Sequence, residues 1–129
     1  SSTGEIIELS INEYLKGVLP AEMPPEYDIE ALKAQAVVAR TYTIYQMINN
    51  FKHENANICD SSLCCQAWIS KENRFARWEE SKSNNYWNKI LESVNETLLM
   101  TYPSGRQISA GKLSASNKDS TFLLHSALK

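Results

Sequence analysis

Ile11, Tyr14, Leu15 and Val18 recur at the spacing of one helix face, and the residues just before them supply the start of that helix. Ser10 and Glu13 make a capping box: the serine oxygen can accept from the third helical amide while the glutamate reaches back to the cap's own N–H. Pro20 then limits how far the helix runs, because its ring removes a donor and crowds the preceding turn. Pro24 and Pro25 hold the next stretch extended. Asp28 is a suitable N-cap for a second helix that meets no Gly or Pro before about Asn50. Ile29, Leu32, Ala36, Ala39, Thr43 and Met47 make one stripe of it, and Ala34, Val37, Val38, Ile44, Tyr45 and Ile48 cover much of the remainder. A helix that is apolar on most sides is a buried one, and the small Ala31, Ala34, Ala36 and Ala39 let neighbours approach its backbone closely.

Downstream the pattern weakens. Gln66 to Ile69 predicts a short strand, and residues 71–83 a charged connector with a helical turn around Phe75 and Trp78. Trp87, Ile90, Leu91 and Val94 mark one face of a third helix from about Asn84 to Glu96. Leu98 to Tyr102 and Arg106 to Ser109, joined by Pro103-Ser104-Gly105, predict a hairpin. Gly111 to Asp119 predicts a loop, and Thr121 to Leu124 a last strand. The sum is a helix-rich α+β chain with a long central buried helix and a small antiparallel sheet, in a single domain over residues 1–129.

Length and composition agree with that reading. A chain of 129 residues can enclose a real core, and 43% hydrophobic residues with only 4 Gly and 4 Pro exclude a disordered or repetitive polymer. The formal net charge is -2 with both signs interspersed, which leaves no basic stripe to neutralise a phosphate backbone and excludes nucleic acid as a partner. No apolar run reaches about 18 residues and no signal-peptide pattern is present. The opening Ser1-Ser2-Thr3-Gly4 reads as a trimmed end, with room for a membrane anchor upstream.

The stretch LPAEMPPEY, residues 19–27, stands out from this background. Glu22 falls just past the expected end of the first helix, between Ala21 and Met23 and ahead of two prolines. Most acidic residues near a helix end are solvated surface groups, and that reading stands beside a chemical one. A carboxylic acid that protonates a leaving oxygen needs a raised pKa, which partial burial beside Leu19, Ala21 and Met23 would give. Lys33 and Arg40 interrupt the apolar second helix two turns apart on one face, and cations on a mostly buried helix need partners. Next to Glu22 they would oppose its protonation, so they fit substrate or scaffold contacts better.

His53, Cys59 and Cys65 fall within 13 residues, with Cys64 directly before Cys65. These residue types can surround a zinc ion, although the spacing is not that of a C-x-x-C knuckle. A Cys59–Cys65 disulfide with Cys64 left over, and three reduced buried thiols, are the two other readings. Asp60 is an extra oxygen ligand or, more ordinarily, a loop residue. Of the aromatic residues Tyr42, Tyr45, Trp68, Trp78, Tyr86 and Trp87, which can stack on sugars, most belong to the core.

EYLKGVLPAEMPPEYDIEALKAQAVVARTY, residues 13–42, resembles the signature of the SpoIID/LytB family. CDSSLCCQAW, then a helix and LLMTYPSGRQI, continue the likeness in the same order. The resemblance implies a peptidoglycan lytic transglycosylase, extracytoplasmic and membrane-anchored, acting in sporulation on glycan strands whose stem peptides a cell-wall amidase has removed. Membrane-anchored engulfment proteins are implied as partners. The resemblance makes Glu22 the catalytic acid and places Lys33 and Arg40 in the substrate groove. It also implies zinc, held in some members by residues matching His53, Cys59 and Cys65, with Cys64 where relatives often carry histidine. Such a zinc, remote from the proton chemistry, would clip the 53–65 loop rather than activate water. Family domains continue beyond the strand matched by Arg106 to Ala110 into a His-Ser segment and a Ser-Gly-Gly turn. Here only Leu124-His125-Ser126 corresponds, so the C-terminal part of the domain reads as incomplete or divergent. Two further roles stand as alternatives: a non-catalytic glycan-binding module that enhances an amidase, and a zinc hydrolase.

Overall fold

In a computed structural model, which describes residues 5–49, 56, 58–98, 100–101 and 121–126, the capping box forms. Ser10 Oγ accepts from the Glu13 N–H, and Glu13 Oε1 from the Ser10 N–H, both at 3.2 Å. The box lies at the junction of strand β1 (Glu5–Ser10) and helix α1 (Ile11–Glu22). Ile11, Tyr14, Leu15 and Val18 are enclosed as their spacing predicts. Pro20 does not end the helix, which runs two residues further and closes with Met23 N–H on Leu19 O at 3.0 Å. A proline there forfeits one helical hydrogen bond, and the packing of α1 against its neighbours offsets that loss.

Helix α2 (Ile29–Ile48) is the centre of the fold, with Leu32, Ala36, Ala39, Thr43 and Ile44 fully enclosed. Its burial is less complete than the sequence pattern implies: Ala34, Val38, Tyr45 and Ile48 face solvent. Strand β2 (Ile58–Cys59) and helix α3 (Lys71–Arg77) follow, the latter N-capped by Ser70, whose Oγ accepts from Asn73 N–H at 3.2 Å. Helix α4 (Glu80–Asn95) begins four residues before the expected Asn84. It turns Tyr86, Ile90 and Val94 inward, while Trp87 and Leu91 sit half-buried at the edge of that face.

Strand β3 (Thr121–Ser126) confirms the last expected strand and lies in the middle of a three-stranded sheet of order β1-β3-β2. β1 runs antiparallel to it, from Glu5 opposite Ser126 to Ser10 opposite Thr121, and β2 runs parallel, with Ile58 opposite Leu124. The fold is therefore helix-rich α+β, its sheet antiparallel at one pairing and parallel at the other. Gln66 to Ile69, expected as a strand, carries no regular secondary structure. Most of the expected hairpin over 98–109 and the loop over 111–119 lie outside the described residues. No helix among those described is long and apolar enough to cross a membrane.

Trp68 comes so close to α1 that only glycine fits beneath it. A Cβ on Gly17 would overlap the indole and stand 2.8 Å from the Ile69 carbonyl oxygen. Gly17→Ala should therefore destabilise by about 1–3 kcal/mol, the usual cost of overpacking, which outweighs the ~1 kcal/mol that alanine gains in helix propensity. A urea midpoint equal to or above that of the unmodified protein would contradict this packing.

Candidate functional site

The connection between α1 and α2 carries Glu22 and is held from several sides. Met23 is extended, Pro25 is buried, and Tyr27 N–H closes a turn on Pro24 O at 3.1 Å. Two side chains of α4 reach across to it: Tyr86 Oη donates to Glu26 Oε2 at 2.9 Å, and Lys89 Nζ to the Tyr27 carbonyl at 2.6 Å. A backbone hydrogen bond and then Tyr86 hold the Glu26 carboxyl below its usual range. Glu22 itself is on the last turn of α1 and exposed, where its neighbours predicted partial burial. Leu19 turns fully into the core and Met23 packs half-buried against it, so the apolar frame shapes the backbone and leaves the carboxylate open to water. No ion pair or side-chain hydrogen bond engages that carboxylate among the described residues.

Lys33 and Arg40 both grip the C-terminal end of α4. Lys33 Nζ lies 2.7 Å from Glu96 Oε1 and 3.3 Å from Glu30 Oε2, and these hydrogen bonds, Glu96 first, raise its pKa. Lys33 in turn lowers that of Glu96. Arg40 is fully enclosed. Its Nη1 donates to the Thr97 carbonyl, to Thr97 Oγ1 at 3.2 Å and to Met100 O at 3.3 Å. Its Nη2 donates to Val94 O at 3.2 Å and to Asn12 Oδ1 at 3.3 Å. Carbonyls at a helix C-terminus carry the negative end of its dipole, so a cation fits there without a carboxylate. Burial pushes the Arg40 pKa down to about 10, still well above neutrality. The resemblance assigns Arg40 to the substrate groove; among the described residues its Nη1 and Nη2 donate to the scaffold, and its Nε is buried without a hydrogen-bond partner.

Cys59, Cys64 and Cys65 come together. Their sulfurs all lie within 4.8 Å of one another, Cys64 Sγ and Cys65 Sγ at 3.7 Å, and all three are free thiols, so the Cys59–Cys65 disulfide is not formed. A turn in which Cys64 and Cys65 N–H donate to Ser61 O, at 3.2 and 2.7 Å, swings both adjacent sulfurs to one place. Gln66 anchors the loop: its Nε2 donates to Tyr14 Oη and Thr43 Oγ1, both at 3.1 Å. Burial pushes the Cys59 thiol up to about 12, against a backbone hydrogen bond at Ser61, and the neighbouring Cys64 and Cys65 act in the same upward direction. Three sulfurs this close can hold a metal ion, whose charge would reverse that bias toward the protonated form. His53 lies outside the described residues.

Most of the aromatic residues singled out above are structural. Trp68 and Tyr86 are buried, Tyr42 is half-buried with its hydroxyl 3.5 Å from Cys64 O, and Phe75, Trp78, Tyr86 and Trp87 pack on one another at 5.2–5.7 Å between ring centres. Tyr45 is exposed on α2. The sequence reading missed Tyr27, which stands exposed on the loop after Glu22; no spacing rule marks a residue of that kind.

Comparison with known proteins places these features in a family. The family model described as "Stage II sporulation protein" matches residues 1–102. The chain is 31% identical to stage II sporulation protein D of Bacillus amyloliquefaciens over 121 residues, which are 91% of this chain and 35% of that protein. The corresponding protein of Bacillus subtilis is 33% identical over 113 residues, 84% of this chain and 32% of its own length. A protein of Bacillus subtilis named amidase enhancer is 67% identical over 30 residues, 23% of this chain and 4% of that protein. The chain thus spans about a third of the length of the sporulation proteins it matches.

Proposed function

The chain belongs to the SpoIID family, and on that premise we propose that it is a cell-wall enzyme of sporulation, a peptidoglycan lytic transglycosylase with Glu22 as its acid and base. The observation that carries this reading is the placement of Glu22: an open carboxylate at a helix end, followed by a proline-stiffened loop that α4 pins by two hydrogen bonds. A glycan laid over this helix end displaces water from around the carboxyl and shields the reacting bond from solvent.

Glu22 gives its proton to the oxygen joining C1 of N-acetylmuramic acid to O4 of N-acetylglucosamine, and the C1–O4 bond breaks as positive charge grows at C1. The carboxylate then accepts the proton of the muramic C6 hydroxyl, whose oxygen closes onto C1. The acid is regenerated, no water is consumed, and the product end is a 1,6-anhydro sugar. One carboxylate suffices because the nucleophile is intramolecular, in contrast to the pair used by ordinary glycosidases. Lys33 and Arg40 serve this site from behind, by fixing α4 and hence the loop that follows Glu22. Denuded glycan strands incubated with the protein should yield ends lighter by one water than hydrolysis gives. Intact strands, or hydrated ends, would refute the reaction.

The substrate class implies an amidase acting first and a location outside the cytoplasm, with engulfment proteins at the membrane as neighbours. The short, high-identity match to a protein named amidase enhancer favours a second reading, a glycan-binding module that stimulates an amidase. Amidase stimulation without new anhydro ends would select it.

The metal reading is zinc, held by Cys59, Cys65 and His53 with Cys64 as the fourth ligand. Two thiolates each ~2.3 Å from a tetrahedral zinc stand ~3.8 Å apart, and the Cys64 and Cys65 sulfurs are 3.7 Å apart. Its chemistry when bound is that of a structural clip. Reduced protein should carry one zinc per chain, and Cys59→Ser should lose most of it along with thermal stability. Far less than one zinc in protein prepared without chelator would contradict the assignment.

A further inference from the structure

We propose that Tyr27 is the stacking platform for a sugar ring next to the bond that Glu22 cleaves; this rests on the reading of the chain as a glycan-acting protein. Tyr27 has 51% of its surface exposed, more than any other aromatic residue among those described. Its ring stands apart from the aromatic cluster that joins α3 to α4.

The backbone beneath that ring is the opposite of free. Pro25 is buried inside the turn that the Tyr27 N–H closes on Pro24 O. The Tyr27 carbonyl accepts from Lys89 at 2.6 Å, and its neighbour Glu26 accepts from the buried Tyr86 at 2.9 Å. One residue on, the Asp28 carbonyl accepts from Ala31 and Leu32 N–H at 3.0 and 3.1 Å and begins α2. A loop presenting an aromatic ring usually loses binding energy to the entropy of its own ordering. Here the ordering is already done in the free protein, which is the condition for an efficient contact.

Position and chemistry agree. Two Cα steps and one closed turn separate Glu22 from Tyr27, so their Cα atoms are no more than about 15 Å apart, within the reach of adjacent subsites on one strand. A pyranose ring turns a face of C–H groups outward. A phenol ring offers that face an apolar partner.

Tyr27→Ala, Tyr27→Phe and Tyr27→Trp, assayed on denuded glycan strands and by ligand-observed NMR with tri-N-acetylchitotriose, test the assignment. Alanine should raise KM and weaken probe binding about ten-fold with a smaller change in kcat, while Phe and Trp keep both near the unmodified values. All three should melt as the parent does. Alanine binding as well as tyrosine, or phenylalanine failing as badly as alanine, would overturn the platform. A parent chain that binds the probe through Tyr27 but cuts no strand would overturn the lytic reaction and leave the platform standing. One that cuts while Tyr27→Ala binds and cuts undiminished would do the reverse, and a folded parent that neither binds nor cuts would overturn both.

Discussion

Glu22→Gln is expected to lower the formation of anhydro ends by about 10²–10⁴-fold, the range that general acid–base assistance contributes, with the fold intact. The amide keeps the shape of the side chain but has no proton to give at the pH of the reaction. It cannot take one from the C6 hydroxyl either, so both halves of the mechanism fail together. Stability should move by no more than about 0.5 kcal/mol, because an exposed carboxylate without a structural partner has little to lose. That separation makes the variant informative: thermal melts that superimpose while anhydro-sugar release collapses are the signature of chemistry at this residue. A Glu22→Gln protein that melts like the parent and still releases anhydro sugars at a near-parent rate would remove Glu22 from the mechanism. Attention would then turn to the cysteine cluster, where a hydrolase would lose activity to chelation and produce hydrated ends.

The helices were legible and the sheet largely was not, for a reason of range. The signals for α1 are local, a capping box at Ser10 and a four-residue rhythm after it, and both survive folding unchanged. β1 has no such signal, since its partner is β3 and Glu5 pairs with Ser126 at the far end of the chain. β2 is shorter still, and exists only because β3 runs beside it. The same contrast governs the site. Helical spacing put Lys33 and Arg40 on one face of α2. It could not show that Val94, Thr97 and Met100, more than fifty positions later, would gather around the guanidinium. The spacing of Cys64 and Cys65 does not show where their sulfurs point, and a turn onto Ser61 brings them together. The exposure of Glu22 is not legible in the sequence, because the apolar character of its neighbours says nothing about where they point. Leu19 points into the core, and the carboxylate remains outside.

Arg40→Ala is expected to cost about 3–5 kcal/mol of stability, the range for truncating a large, fully buried side chain to alanine. The guanidinium is the acceptor-filling group for three backbone carbonyls, Val94 O, Thr97 O and Met100 O, and for Asn12 Oδ1 on α1. Without it the buried Val94 and Thr97 carbonyls each lose a donor, the end of α4 loses its cap, and a large side chain leaves a void beside α2. Arg40→Lys should recover only part of the loss, since a compact ammonium cannot span Val94, Met100 and Asn12 at once. Lys33→Ala is the useful contrast. Its ion pair with Glu96 is short, but the Glu96 side chain is 52% exposed, and pairs of that kind contribute at most about 1 kcal/mol. The ordering Arg40→Ala well below Lys33→Ala in urea midpoint marks Arg40 as a positioning residue, whose variants lose cleavage in step with the folded fraction. Should Arg40→Ala instead unfold at the parent midpoint and yet fail to cut, the side chain must leave its buried seat to meet the glycan, and its place would be in the groove after all.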